Sequence, residues 1–305
     1  MPPVSAVRIG APLVWAVATL FCVAGLGMPT SREAILIWLL TGMLAFSASN
    51  LRNRLPRLVV DWTPFVALLL VYDLLRGFAD GLLFPARELP QIRLENLLFG
   101  TPAPTVRLQS HFWHGADDIR WWDYLAWFVY LTHFVATLVA AAALWTFAHD
   151  RFRRYAWMVC TLTLAGFATY VLYPAVPPWM AARDGDFGQS NRIIPIVWEH
   201  VPIAHFSSLF EHGVHYANNV AAMPSLHAGY ALLFSLFLWP IVPRWVRPLL
   251  ALYPLAMAWA LVYTGEHYLV DCVAGWIYAV AAYLTVDAVL DRRRRPLAFE
   301  RAYAD

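Results

Sequence analysis

Long apolar runs, separated by short arginine-bearing turns, set the first constraint on this 305-residue chain. They cover about 9–27, 33–49, 58–76, 121–148, 155–173, 222–242, 247–264 and 266–290, most of them near the roughly 20 residues that cross a hydrocarbon core. The expected fold class is an all-α integral membrane protein, a multi-span helical bundle of about eight spans. Composition agrees, because only 14% of residues are charged and 60% are hydrophobic, whereas a soluble domain carries about a quarter charged residues. No stretch remains for a separate soluble domain. The 15 tryptophans suit membrane interfaces. The net charge of +2 comes from residues in short loops and points to no nucleic-acid partner. Cys22, Cys160 and Cys272 fall inside apolar runs, so no disulfide framework is expected. The first run lacks a small-residue cleavage site and reads as a retained span.

Arginine placement sets the orientation. Arg52, Arg54 and Arg57 follow the second run, and Arg151, Arg153 and Arg154 follow the fourth. Arg244 and Arg247 follow the sixth and Arg292 to Arg295 the eighth, while the turn after the first holds only Arg32. Both termini are therefore expected in the cytoplasm of a multi-pass cell-membrane protein. Segments 77–120 and 174–221 and the turn near 264–266 fall on the outer side. Segment 77–120 mixes Pro85, Pro90, Pro102 and Pro104 with charged and apolar residues, which suggests short amphipathic helices on the outer leaflet.

The last run opens with Gly265-Glu266-His267-Tyr268-Leu269-Val270-Asp271-Cys272-Val273-Ala274-Gly275. Positions four apart share one helix face, so Asp271 can accept a bond from one ring nitrogen of His267 and leave the other basic. That prepares a histidine as a nucleophile or base; a snorkelling histidine with a structural aspartate is the bland alternative. The sixth run opens with Ala222-Met223-Pro224-Ser225-Leu226-His227-Ala228-Gly229 at the same outer level. Pro224 suits a first helical turn, the freed amides there favour an anion such as phosphate, and Ser225 adds a hydroxyl. His227 can give and take a proton near neutral pH.

Pro-Ser-x-His, followed some forty residues later by His-x-x-x-Asp-x-x-x-Gly, resembles the second and third signature motifs of the type 2 phosphatidic acid phosphatase superfamily. Tyr173-Pro174-Ala175-Val176-Pro177-Pro178-Trp179 resembles the proline-proline-tryptophan motif of its inositol phosphoceramide synthase-like, or inositolphosphotransferase, branch. Tyr72-Asp73-Leu74-Leu75-Arg76-Gly77 and Tyr130-Leu131-Thr132-His133-Phe134 also resemble stretches of that branch. The likeness implies a core of six spans within 58–290, preceded by N-terminal spans (1–57) and followed by a cytoplasmic tail (291–305). Three family features are missing. The chain has no lysine for the first motif, Leu261 stands where an arginine is expected, and Leu226 where glycine is usual.

The resemblance implies a lipid phosphotransferase working through a phosphohistidine, with no metal or other cofactor. The donor is a phospholipid or other lipid phosphate; the acceptor is a polyol or other alcohol, or water. His267 would attack phosphorus, Asp271 would orient and stabilise it, and His227 would serve as acid and then base. Ser225 and one or more of Arg76, Arg183 and Arg192 would bind phosphate, since an arginine fork can hold two of its oxygens. Asp73, His133, Pro178 and Trp179 would line the substrate pocket. Arg76 also reads as a structural partner of Asp73, His133 as a satisfied buried histidine, and Pro177-Pro178-Trp179 as a rigid interfacial turn. Three rival functions stand beside this one. A lipid phosphate phosphohydrolase, of phosphatidic acid or polyprenyl phosphate type, would use the same residues. A metal site could use His111-x-x-His114 or His212-x-x-His215, although neither has carboxylate or cysteine companions. A transporter could use Asp61, Asp73 and His133, but there are no paired broken spans.

Overall fold

Apolar segments in lipid must satisfy their backbone groups internally, and here they do so as helices. A computed structural model describes residues 4–26, 32–79, 84–201 and 220–294, with backbone alone for 4–6, 26, 32–33, 65–66, 69–79 and 292–294. In order these are α1 (Val4–Leu26), α2 (Arg32–Ser47), a 3-10 turn (Ala48–Asn50) and α3 (Leu51–Ala79). Next come the short α4 (Leu89–Phe99) and α5 (Pro104–Phe112), then α6 (Trp121–Phe147) and α7 (His149–Leu172). Two more short helices, α8 (Pro178–Asp184) and α9 (Ile193–Glu199), precede α10 (Leu226–Leu238), α11 (Arg247–Tyr263) and α12 (Leu269–Arg294). No strand is present among the described residues, only two isolated bridges, Arg87 with Ala175 and Ala175 with Ala221.

Among the described residues six stretches are long and apolar enough to cross a bilayer: Val7–Gly25, Ala34–Pro64, Trp121–Phe147, His149–Leu172, Arg244–Tyr263 and Leu269–Asp291. The protein is thus an all-helical, multi-span membrane protein. Three of the eight expected spans differ. Runs 33–49 and 58–76 join into one apolar stretch, and much of the second falls on side chains outside those described. Run 222–242 holds only the 13-residue α10. Its first residues are extended instead, because Ala175 N–H bonds Val220 O at 2.7 Å and Ala222 N–H bonds Ala175 O at 3.1 Å. Pro224 consequently precedes the helix rather than opening it. Ser225 is the N-cap.

The short α10 sets the depth of everything that follows. At 1.5 Å per residue it is about 20 Å long, so its start lies level with the middle of the 27-residue α6. The main core lies between α6, α7, α10 and α12, where Phe152, Tyr155, Met158, Leu162 and Leu233 are fully or almost fully buried. At the arginine-rich ends, Arg154 bonds Asp287 and Asp291, both at 2.7 Å, and ties α7 to α12. Asp61 likewise accepts from Trp145 Nε1 at 2.9 Å and His149 Nε2 at 2.7 Å, joining α3 to α6 and α7. The short helices gather at the opposite end. α4, α5 and α8 each begin with proline in the first turn, where a missing N–H costs nothing. The three cysteines are free thiols.

Candidate active site

The start of α10 is locked against α12 by backbone contacts. Ser225 Oγ accepts the Ala228 N–H at 3.3 Å, the usual role of an N-cap hydroxyl. Ser225 N–H bonds Asp271 O at 2.9 Å, and Tyr170 Oη donates to Pro224 O at 2.8 Å. Gly275 and Gly229 allow the two helices to touch. A Cβ at Gly275 would lie 2.1 Å from Ser225 O, and one at Gly229 would lie 3.1 Å from Gly275 O.

The start of α12 is built from carboxylates. Asp271, at the third helical position, turns back so that its Oδ2 accepts Tyr268 N–H at 2.9 Å, which is half of a capping box. Glu95 of α4 supplies the rest. Its two oxygens accept the Leu269 and Val270 N–H groups, each at 3.0 Å. Burial pushes the Glu95 carboxyl above the usual range, against the pull of those two amides. Before Tyr268 the chain reverses through Gly265, whose φ of +77° suits glycine. Glu266 and His267 N–H groups both bond Leu261 O, at 3.0 and 3.3 Å.

These two helix starts bring the expected histidines together. His267, only 5% exposed, places Nδ1 2.9 Å from Ala222 O and Nε2 3.3 Å from His227 Nδ1. The carbonyl can only accept, so Nδ1 carries the proton and the Nε2 lone pair faces His227. Asp271 Oδ2 is 3.7 Å from His267 Nδ1, an ion-pair distance and not the hydrogen bond expected from the spacing. The capping bond to Tyr268 draws that oxygen away, and the Ala222 carbonyl takes its place. Neither α10 nor Ala222 is independent of the proline-rich turn, because Ala175 bonds the segment that carries Ala222.

Aromatic rings surround His227. Tyr130 stacks on it with centroids 5.1 Å apart, and His133 lies at 3.9 Å, with Phe134 edge-on at 6.0 Å. His133 thus meets His227 from the middle of α6, at the depth set by the short α10. Pro178 is buried, and Trp179 N–H bonds Gly265 O at 3.2 Å, which seats the Pro177-Pro178-Trp179 turn on the loop before His267.

The candidate cations separate. Arg192 forms a fork to Glu266, Nε to Oε1 at 2.8 Å and a terminal nitrogen to Oε2 at 3.2 Å. Its guanidinium lies 4.8 Å from the Trp179 ring centroid. Burial works against that charge, yet Glu266 holds the guanidinium above its ordinary pKa. Arg183 pairs with its neighbour Asp184 at 2.9 Å, and its guanidinium lies 5.8 Å from the Trp179 ring centroid, largely in the open. The side chains of Arg76 and Asp73 lie outside the described residues, as do His205, His212 and His215. His114 Nδ1 faces Phe112 O at 2.9 Å. Among the described residues no group of three or more histidines, cysteines or acids is arranged to hold a metal.

Spacing alone did not reveal Glu95, Glu266, Tyr130 or Gln109. Gln109 Nε2 donates to Asn191 O and Tyr263 O, at 2.9 and 2.8 Å, and its Oε1 accepts Asn191 N–H at 2.7 Å, fastening the loop that carries Arg192. Glu266 carried a sequence signal, as a charge beside His267 in an otherwise apolar stretch, and Tyr130 opens the branch-like stretch that ends at Phe134.

A family model described as the PAP2 superfamily matches residues 105–285, more than half of the chain and all of the elements just described from α5 to most of α12. The chain is 29% identical over 199 residues to the inositol phosphorylceramide synthase catalytic subunit aur1 of Schizosaccharomyces pombe, covering 63% of this chain and 44% of that protein. It is 26% identical over 249 residues to the phosphoinositol dihydroceramide synthase of Bacteroides thetaiotaomicron, covering 75% and 76%. Similarity to the inositol phosphorylceramide synthase of Candida albicans is 25% over 180 residues, covering 53% and 35%. The chain thus spans less than half the length of these two fungal relatives and about three quarters of the bacterial one. No solved structure matches it significantly. With its signature residues gathered at two adjoining helix starts and the family match spanning them, the chain belongs to the PAP2 superfamily, as a multi-span membrane enzyme similar to the inositol phosphorylceramide synthases.

Proposed function

We propose that the chain is a lipid phosphotransferase that moves a phosphorylated head group from a phospholipid to the hydroxyl of a ceramide-like alcohol. By analogy with the names of its relatives, that group is phosphoinositol. The observation that carries this reading is the imidazole pair, with His267 Nε2 3.3 Å from His227 Nδ1 and His267 Nδ1 held on Ala222 O. In the first step Nε2 attacks phosphorus and the bond from phosphorus to the lipid oxygen breaks. His227 gives its Nδ1 proton to that oxygen. In the second step His227 takes the proton of the acceptor hydroxyl, whose oxygen attacks phosphorus and breaks the N–P bond. Asp271 stabilises the imidazolium character of His267.

Positioning and electrostatics dominate phosphoryl transfer. The α12 amides bonded to Glu95 and Asp271 are spoken for, so the first turn of α10, set by the Ser225 cap, is the helix start left for phosphate oxygens. Arg192 is tied to the His267 turn through its fork to Glu266. Arg183 and Arg76 remain further candidates, and Asp73, His133, Pro178 and Trp179 pocket residues. The catalytic core is 58–290, flanked by N-terminal spans 1–57 and the tail 291–305. The site faces the extracytoplasmic side of the cell membrane and both termini the cytoplasm. A cysteine at Gln189 should then react with an impermeant thiol reagent on intact cells and one at Arg153 should not; the reverse pattern would overturn this sidedness.

The central test supplies purified protein with a labelled phosphoinositol glycerolipid and ceramide. The expected result is labelled phosphoinositol on ceramide, acid-labile phosphate trapped on His267, and no turnover by His267→Ala. Full activity of His267→Ala would sink the scheme, and label passing only to water would favour a phosphohydrolase.

A further inference from the structure

A buried carboxylate from the outer layer is built into the start of the helix that carries Asp271. Glu95 is fully buried, and its two oxygens accept the Leu269 and Val270 N–H groups at 3.0 Å each. The preceding amide, of Tyr268, ends on Asp271 Oδ2 at 2.9 Å. Three successive amides therefore rest on two carboxylates from different elements. Such charge-assisted bonds are about twice as strong as neutral ones, and the positive end of a helix favours them. Burying an acid without a purpose is expensive. α4 also turns Leu94, Leu97 and Leu98 outward, so Glu95 is an inward polar anchor on a helix with an exposed apolar face.

We propose that Glu95 is a positioning residue for phosphoryl transfer: by holding the Leu269 and Val270 amides it sets the first turn of α12, and with it the gap between His267 and His227. Its carboxylate bonds the backbone of α12 and neither imidazole, so it acts through that turn. His267 lies two residues before Leu269, and its Nε2 faces His227 across 3.3 Å. Small displacements there matter, because about 1 Å of misplacement can cost a hundredfold in rate. The proposal rests on the phosphotransferase reading above.

The test compares full-length wild type with Glu95→Gln, which keeps the length but replaces one acceptor oxygen by a donor. Two readouts are taken: steady-state kinetics with the donor lipid, and hydrogen exchange of peptides along α12. The expected result is a kcat lower by roughly tenfold to a hundredfold with KM for the lipid unchanged, and faster exchange confined to the first turn. Should Glu95→Gln fail to fold, Glu95→Asp, which withdraws the carboxylate by one methylene, is read the same way. Wild-type kcat, or a loss shared between kcat and KM with exchange raised along the whole helix, would overturn the proposal. If wild type itself acts on no phospholipid while first-turn exchange still accelerates in the variant, the reading of the function fails and the cap stands.

Discussion

Gly275 lies so close to Ser225 that a Cβ added to it would sit 2.1 Å from the Ser225 carbonyl oxygen. That contact explains physically why a glycine ends the His-x-x-x-Asp-x-x-x-Gly pattern. The two helix starts that carry His227 and His267 can meet only where one of them has no side chain.

Gly275→Ala should therefore separate α10 from α12. Overpacking of this kind costs about 1–3 kcal/mol, and the displacement of His227 from His267 should lower activity by on the order of a hundredfold. Gly229→Ala, whose Cβ would meet its nearest neighbour at 3.1 Å, should be milder. Gly10→Ala meets nothing within 4 Å and serves as the control. Thermal melts and transfer assays on the three variants check the order. Equal effects at Gly275 and Gly10 would reject the close-contact explanation.

Asp271 caps α12 and, in the proposed scheme, also stabilises a charged His267; the two roles can be separated. Because Ala222 O holds His267 Nδ1–H at 2.9 Å, the tautomer does not depend on the carboxylate 3.7 Å away. Asp271→Asn should keep the tautomer and lose the stabilisation of a charged His267, lowering kcat by on the order of 10² to 10³. His267→Ala should remove turnover altogether. Measured phosphohistidine in Asp271→Asn should form slowly but still form; its complete absence would show that the aspartate, not the carbonyl, sets the tautomer.

Much of the site was legible because it rests on short-range spacing. The pair His267 and Asp271, four apart, and the Pro-Ser-x-His start carry their geometry in the sequence itself. What escaped depends on long-range contacts. Nothing in the run 222–242 announces that Ala175 holds its first residues extended through isolated bridge contacts, yet this shortens α10 and sinks the site to the level of His133. Glu95 escaped for a similar reason: one acid on a short amphipathic helix reads as a solvated face until the amides it caps, some 174 residues away in the chain, are known. The expected Asp271–His267 bond failed because a helix-capping amide competes for the same oxygen.

The junction between α4 and α8 should respond to pH. Burial raises the Glu88 carboxyl above its usual value, and Asp186, within hydrogen-bonding reach, adds to the rise. A carboxyl raised by folding holds its proton more tightly in the folded state. Its contribution to stability is full below the ordinary value of 4.5 and is lost as pH climbs through the raised one. Glu88→Gln removes that ionisation. The melting temperature of wild type should fall relative to Glu88→Gln between pH 4.5 and neutrality, by on the order of one degree for so exposed a pair. A difference that is constant with pH would show that folding does not raise the Glu88 carboxyl.

The choice between alcohol and water as acceptor should depend on Trp179. Its backbone is fixed on Gly265 O, and its ring backs the Arg192 guanidinium at 4.8 Å while Glu266 holds the same guanidinium from the side. In the proposed scheme Trp179 would wall off the loop beside His267 and, through Arg192, hold a charge near the phosphate. A phosphohistidine that waits for an alcohol must be shielded, since a closed, dry site suppresses hydrolysis of a reactive intermediate. Truncation to alanine would open the wall and loosen Arg192, admitting water. Trp179→Ala is thus expected to raise the ratio of hydrolysis to transfer several-fold, whereas Arg192→Ala should depress both products together through weaker phosphate binding. Partitioning of a labelled phosphoinositol lipid, with and without ceramide, measures both ratios. An unchanged ratio in Trp179→Ala would remove the shielding role and leave the tryptophan as a support for Arg192 alone.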